Sequence, residues 1–120
     1  MTTEQIAKRL HELCSQNQYE QCYEELFHPD AKATEPPLAE VPGPREVQGI
    51  PAFMEKGKQF NDMIEELHSG YVSEPKVFGN YIFMDMGLDA TFKGQGRMKM
   101  DEMVKYTVVD GKIVHEEYFF

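Results

Sequence analysis

Three ionisable side chains near the end of this 120-residue chain have types and spacing suited to acid–base chemistry: Glu102, His115 and Glu117. The turn that relates them is Asp110-Gly111, the strongest two-residue hairpin signal because both central positions need positive φ. Counting back from it sets Val109 opposite Lys112, Val108 opposite Ile113 and Tyr106 opposite His115. The same count sets Val104 opposite Glu117 and Glu102 opposite Phe119. Glu102 and Glu117 are then diagonal neighbours, about 7–8 Å apart at the backbone, within reach of each other's side chains. Burial raises a glutamate's pKa, and a second carboxyl raises one of the pair further. A carboxyl poised near neutral pH is what general acid–base catalysis uses. His115 either relays a proton or holds a ligand oxygen, or it serves as a core histidine bonded to Tyr106. For the two glutamates the alternative is a wet sheet edge.

This register gives the hairpin one apolar face of Met98, Met100, Glu102, Val104, Tyr106 and Val108 with Ile113, His115, Glu117 and Phe119. The other face carries Lys99, Met103, Lys105, Val114, Glu116 and Tyr118, with Lys105 opposite Glu116, a favourable cross-strand pair. A three-residue loop at Gly94-Gln95-Gly96 adds Ile82, Met84, Met86, Leu88, Ala90 and Phe92 to the apolar face. It also sets Asp85 opposite Lys105, and Asp89 opposite Asp101, a like-charge pair that is unfavourable. A bulge near Gly87 would relieve it and turn Asp85 or Asp89 inward. Met84, Met86, Met98 and Met100 are adaptable side chains, suited to lining a pocket or to filling a core.

The elements that position these residues follow from periodicity. Ile6, Leu10, Leu13 and Cys14 recur at helical spacing between Thr3 and Gln16, behind Thr2 and Thr3 as polar starters. A second short helix aligns Tyr19, Cys22, Tyr23 and Leu26 until His28-Pro29-Asp30 stops it. Residues 31–35 form a short strand, from which Glu35 is a further candidate for the cavity. Residues 36–49 are rich in Pro and Gly and read as a stiff loop, either a lid or rim or a passive crossover. The third helix begins at Ile50-Pro51 and carries Phe53, Met54, Gly57, Phe60, Ile64, Leu67 and His68 as one stripe. His68 at its end either favours the helix dipole or points into the same cavity. Beyond Gly70 the period becomes that of strands over 71–78, 81–92, 97–109 and 112–120. Helices first and an antiparallel meander after them predict one α+β domain over residues 1–120, with three N-terminal helices on one sheet face.

Composition narrows the function. Twelve basic against twenty-one acidic residues give a net charge of −9, which argues against nucleic acid and anionic membranes as partners. No run approaches a membrane span, and charges within the first twenty residues leave no signal-peptide core, so a cytoplasmic protein is expected. Cys14 and Cys22 lie in apolar stripes without a zinc-like spacing and read as core thiols. No cofactor is implied, and no His-x-His or Glu-x-x-His spacing supports a metal site built from His68, His115 and the glutamates.

Tyr19-Glu20, Leu26 to Ala31, the third helix after Gly49-Ile50, and above all Val108 to Val114 carry a likeness to a known family. With Arg97 to Glu102 and the ending His115 to Phe120, the chain resembles the SnoaL-like branch of the nuclear transport factor 2-like superfamily over essentially its whole length. The resemblance implies a cystatin-like cone, in which a curved antiparallel sheet wraps three helices around a ligand cavity, and it implies a homodimer. Isomerases of that superfamily place an acid at the position that is Val104 here and use a first-helix tyrosine, absent from residues 3–16. Glu102, one inward position earlier, would supply the acid instead. The expectation is a protein that binds a small apolar carbonyl compound, an isomerase, cyclase or lyase. Glu102 or Glu117 would transfer the proton, and Tyr106 and His115 would orient the ligand oxygen. His68, Glu35, Met84, Met86, Met100 and Phe119 would line the site. The alternative is a non-catalytic dimeric binding module, pairing through an outer face around Met103, Tyr118 and Phe120.

Overall fold

The computed structural model describes residues 1–37 and 44–120. Helix α1 (Thr3–Ser15) starts at a reciprocal cap in which the Thr2 hydroxyl accepts from the Gln5 amide and the Gln5 side chain accepts from the Thr2 amide. Its inner stripe buries Ile6, Leu10, Leu13 and Cys14. Asn17, in the left-handed region at φ 57°, ends the helix and turns the chain into α2 (Tyr19–Leu26), which buries Cys22 and Leu26.

Strand β1 (Phe27–Thr34) follows α2 directly, four residues earlier than Pro29 suggested. Pro29 is tolerated because the pairing of β1 is irregular between Phe27 and Lys32, where a missing amide costs no ladder bond. Within the segment expected to be loop, β2 (Glu46–Gln48) pairs antiparallel with Lys32 to Thr34. Residues 38–43 of the expected lid or rim lie outside the described residues. Helix α3 (Ile50–Met63) has Pro51 in its first turn and buries Phe53. It is shorter than its apolar stripe suggests. Ile64, Leu67 and His68 belong to β3 (Ile64–Val72), because pairing with β5 overrides a spacing that also suits a helix. Pro75 then separates β3 from β4 (Lys76–Phe78), and both lie along the same edge of β5 (Tyr81–Phe92). Strands β6 (Gly96–Val109) and β7 (Lys112–Phe119) complete the sheet.

The sheet is curved, in the order β2-β1-β7-β6-β5-β3. It is mixed rather than wholly antiparallel, since β1 runs parallel to β7. Nor are all three helices N-terminal to the sheet: α3 lies between β2 and β3. The core between helices and sheet buries Ile6, Leu10, Leu26, Ile82, Met84, Val104 and Ile113 almost completely, and each such side chain contributes about 1.5–3 kcal/mol.

Two registers differ from those counted from the turns. Phe92 pairs with Gly96, so β5 and β6 are offset by two residues from the three-residue-loop register and every side chain keeps its face. Asp89 therefore opposes Lys99 rather than Asp101, and Asp85 opposes Met103 rather than Lys105. The β5–β6 ladder is unbroken through Gly87; Asp85 stays exposed and Asp89 lies under the Arg97 guanidinium at 2.9–3.0 Å. The second difference decides the site. The type I′-like turn is as expected, with φ 50° at Asp110 and 78° at Gly111, and Val108 pairs with Ile113. The next pair is Thr107 with His115, so Val114 is an extra residue. This bulge inverts the rest of β7.

Candidate functional site

Beyond the Val114 bulge, Tyr106 faces Glu116 and Val104 faces Tyr118. The buried carboxyl supplied by β7 is Glu116, only 4% exposed, not Glu117. With Tyr106, also buried, it lines a small, partly open cavity of about 30 Å³ between α1, α2 and the sheet. Tyr19, Tyr23, Phe27 and Tyr118 form its aromatic wall, and Leu10, Cys14, Cys22 and Met86 complete it. Tyr23, Phe27 and Tyr106 pack edge to face in sequence, with centroids 5.2 and 6.3 Å apart, a favourable arrangement. A cavity of this size has room for one or two water molecules.

Glu102 lies on the same inner side of the sheet, directly across from Met86, and is half-buried. Burial, reinforced by the Glu35 carboxylate and opposed by Lys56, pushes its carboxyl up to about 7. Burial pushes Glu116 up to about 8, with Lys56 opposing and Glu102 and Glu35 adding to the rise. Glu35, buried just beyond β1, accepts a hydrogen bond from the ammonium of Lys56 on α3. That ammonium also sits 5.0 Å from the centre of the Tyr118 ring, over the cavity wall. Tyr106 is held well above the usual phenol range, by burial first and then by Glu116, so it remains a donor. Cys22 is raised by its hydrogen bond with the Cys14 thiol and by burial. The two are free thiols with the bland packing role that their stripes suggest.

The interior thus brings together Glu102, Tyr106, Glu35 and Met86 from the residues singled out in the sequence. Met84 is fully buried in the core beside it and Met100 is half-buried on the inner side. Four expectations are corrected. His115 is turned to the other face by the bulge, where it bonds the Thr34 hydroxyl at 2.8 Å. Glu117 is turned with it and lies 3.7 Å from Lys105 and 3.4 Å from His115. Phe119, opposite Met103, is half exposed on that outer face. His68 also stays outside, its ring bonded to the Thr91 hydroxyl at 2.8 Å, because it belongs to β3 and not to a helix end. Among the described residues no cluster of three His, Cys, Asp or Glu side chains is arranged to hold a metal.

Sequence reasoning missed Glu116, Tyr118 and Lys56. Lys56 carried a signal: it falls three residues after Phe53 and four before Phe60, on the flank of the apolar stripe.

The SnoaL-like domain model matches residues 1–120. A Mesorhizobium loti protein, provisionally described as a SnoaL-like polyketide cyclase and also as a carbohydrate phosphatase, is 30% identical over the whole of both chains, with a TM-score of 0.89. The chain belongs to the SnoaL-like family. Other solved structures share its fold at lower identity. A nuclear transport factor 2-like protein from Burkholderia thailandensis superposes with a TM-score of 0.82 at 15% identity, over 99% of this chain and 90% of that one. A Catenulispora acidiphila protein with a ketosteroid isomerase-like fold, in complex with trimethylamine, reaches 0.71 at 12% identity over 99% and 87%. No curated protein matches the sequence.

Proposed function

We propose that this SnoaL-like protein binds a small, largely apolar carbonyl compound inside the cone and transfers a proton on it. The observation that carries the reading is a pair of carboxyls on one inner sheet face, Glu116 held at about 8 in the aromatic-walled cavity and Glu102 at about 7 across from its Met86 wall. At neutral pH Glu116 is then mostly protonated and donates, while Glu102 is divided between base and acid. In the proposed step the Glu102 carboxylate removes a proton from the carbon next to the carbonyl. Glu116 and the Tyr106 phenol donate hydrogen bonds to the oxygen as negative charge develops on it. Return of the proton to another carbon completes an isomerisation, loss of a leaving group an elimination, and attack of the enolate carbon on a second carbonyl a cyclisation. The cyclase description of the Mesorhizobium loti relative agrees with this chemistry. The cavity is small, so the ligand enters by displacing side chains at its rim, among them Lys56 and Tyr118. The test is deuterium uptake beside the carbonyl of small ketones in D2O, followed by proton NMR. The chain should accelerate uptake, and Glu102→Gln should slow it about 100-fold or more. Equal rates for both proteins would refute the assignment.

A second reading is a non-catalytic dimeric module, favoured by the small cavity and by Met103 and Phe119, paired across the outer face and 40% and 48% exposed. Tyr118, turned inward, leaves that surface. A dimeric mass in solution that Met103→Lys reduces to a monomer supports it; a monomer at micromolar concentration counts against it.

A further inference from the structure

Three carboxyls and one ammonium share the interior: Glu35, Glu102, Glu116 and Lys56. Lys56 is committed to Glu35, a residue only 8% exposed. Such a pair costs the desolvation of both charges, and replacing it with apolar groups is often neutral or stabilising. Stability alone therefore gives little reason for its place beside the cavity. The backbone of Glu35 is pinned through its amide to the Arg45 carbonyl at 2.8 Å. Lys56 reaches it on a flexible four-carbon stem, about one-third exposed, and passes over the Tyr118 ring that walls the cavity. The ammonium can swing from its carboxylate to any other anion presented at the same rim. A ligand carboxylate offers it the same chemistry as the Glu35 side chain. Glu116, mostly protonated, and Glu102, partly so, add little repulsion against such an anion.

We propose that Lys56 is the specificity-determining residue of this site: its ammonium anchors a carboxylate carried by the ligand, and Glu35 holds that position as an internal substitute until the ligand arrives. The substrate class is then a small oxo acid, with a carboxylate for Lys56 and a carbonyl for the glutamates. This inference rests on the reading of the interior as a ligand site.

The experiment compares pyruvate with pyruvamide, a neutral analogue of the same shape, by chemical-shift titration of the whole chain. Pyruvate should bind, and Lys56→Met should weaken it about tenfold or more, the size of a lost charged hydrogen bond, while pyruvamide changes little. Lys56→Arg should restore most of the loss, and Glu35→Gln should tighten pyruvate several-fold by freeing the ammonium. Thermal unfolding of each variant identifies any that fails to fold; the Glu35→Gln and Lys56→Arg arms decide the matter if Lys56→Met is lost. Pyruvate binding that is indifferent to Glu35→Gln, or to Lys56→Met when folded, overturns the inference. If pyruvamide binds and pyruvate does not, only the anchor fails. If neither binds, the proposed site fails with it.

Discussion

Glu116 shares its cavity with Tyr23, Phe27 and Tyr106 and keeps its proton to about 8, whereas an unfolded chain releases it near 4.5. The neutral carboxyl thus favours folding fully below about 4.5, and that contribution is lost as pH rises through about 8. Each proton of difference between the two states lowers stability by about 1.4 kcal/mol per pH unit. Glu102 adds the same sense of change up to about 7. Urea unfolding should therefore show stability falling between pH 5 and pH 8. Glu116→Gln should flatten the fall and exceed the wild type at pH 8; a parallel decline in both proteins would contradict the burial of a neutral carboxyl. This residue was hidden in the sequence by its neighbour. In either register Lys105 meets a glutamate, Glu116 without the bulge or Glu117 with it, so the charge pair that supported the straight count did not discriminate. Glu102 was legible because its strand runs from the turn to Gly96 with its facing intact.

At the scale of elements, β5 and β6 approach each other closely at Gly87. A Cβ there would lie 2.6 Å from the Met100 carbonyl oxygen, 2.6 Å from the Tyr71 ring and 2.8 Å from the Asp101 carboxylate. Backbone cannot yield as a flexible side chain can, so Gly87→Ala should cost about 2–3 kcal/mol. Gly57, inside α3 with nothing within 4 Å of its added Cβ, gives the contrast: Gly57→Ala should gain about 0.5–1 kcal/mol. Denaturant midpoints for the two variants check both; equal effects would contradict the close approach. The hairpin turn, the capped first helix and the long β5 and β6 were readable because each has a local cause in turn chemistry, capping or strict alternation. The end of α3 was not. Ile64, Leu67 and His68 continue a helical stripe after Phe60, and only pairing with distant β5 makes them a strand. The Val114 bulge likewise satisfies both β6 and β1, whose own pairing with β7 skips between Phe27 and Lys32. No local pattern encodes it.

Across the whole molecule, the SnoaL-like family likeness conveyed the α+β class and the curved sheet, yet not the parallel β1–β7 contact, which joins residues more than eighty positions apart. The sheet's centre is β7-β6-β5, where Val104, Tyr106, Ile82 and Met84 are buried. The three-residue strands β2 and β4 lie at its periphery. Local opening should follow that division: amide exchange is expected to be slowest in the middle of β5 and β6, and fast in β2 and β4. Uniform protection across the sheet would contradict it. A rim that exchanges readily beside a slow centre also suits a cavity that admits a ligand from the Lys56 side without unfolding its base.

Two tuned carboxyls on one inner sheet face, Glu102 and Glu116, carry the proposed chemistry. Carbon-13 NMR titration of the glutamate side chains, assigned with Glu102→Gln and Glu116→Gln, tests it most directly. Midpoints near 7 for Glu102 and near 8 for Glu116 are the predicted result. Glu102 and Glu116 both titrating near the ordinary glutamate value of about 4.3 would contradict the inverted β7 register and the acid–base reading built on it.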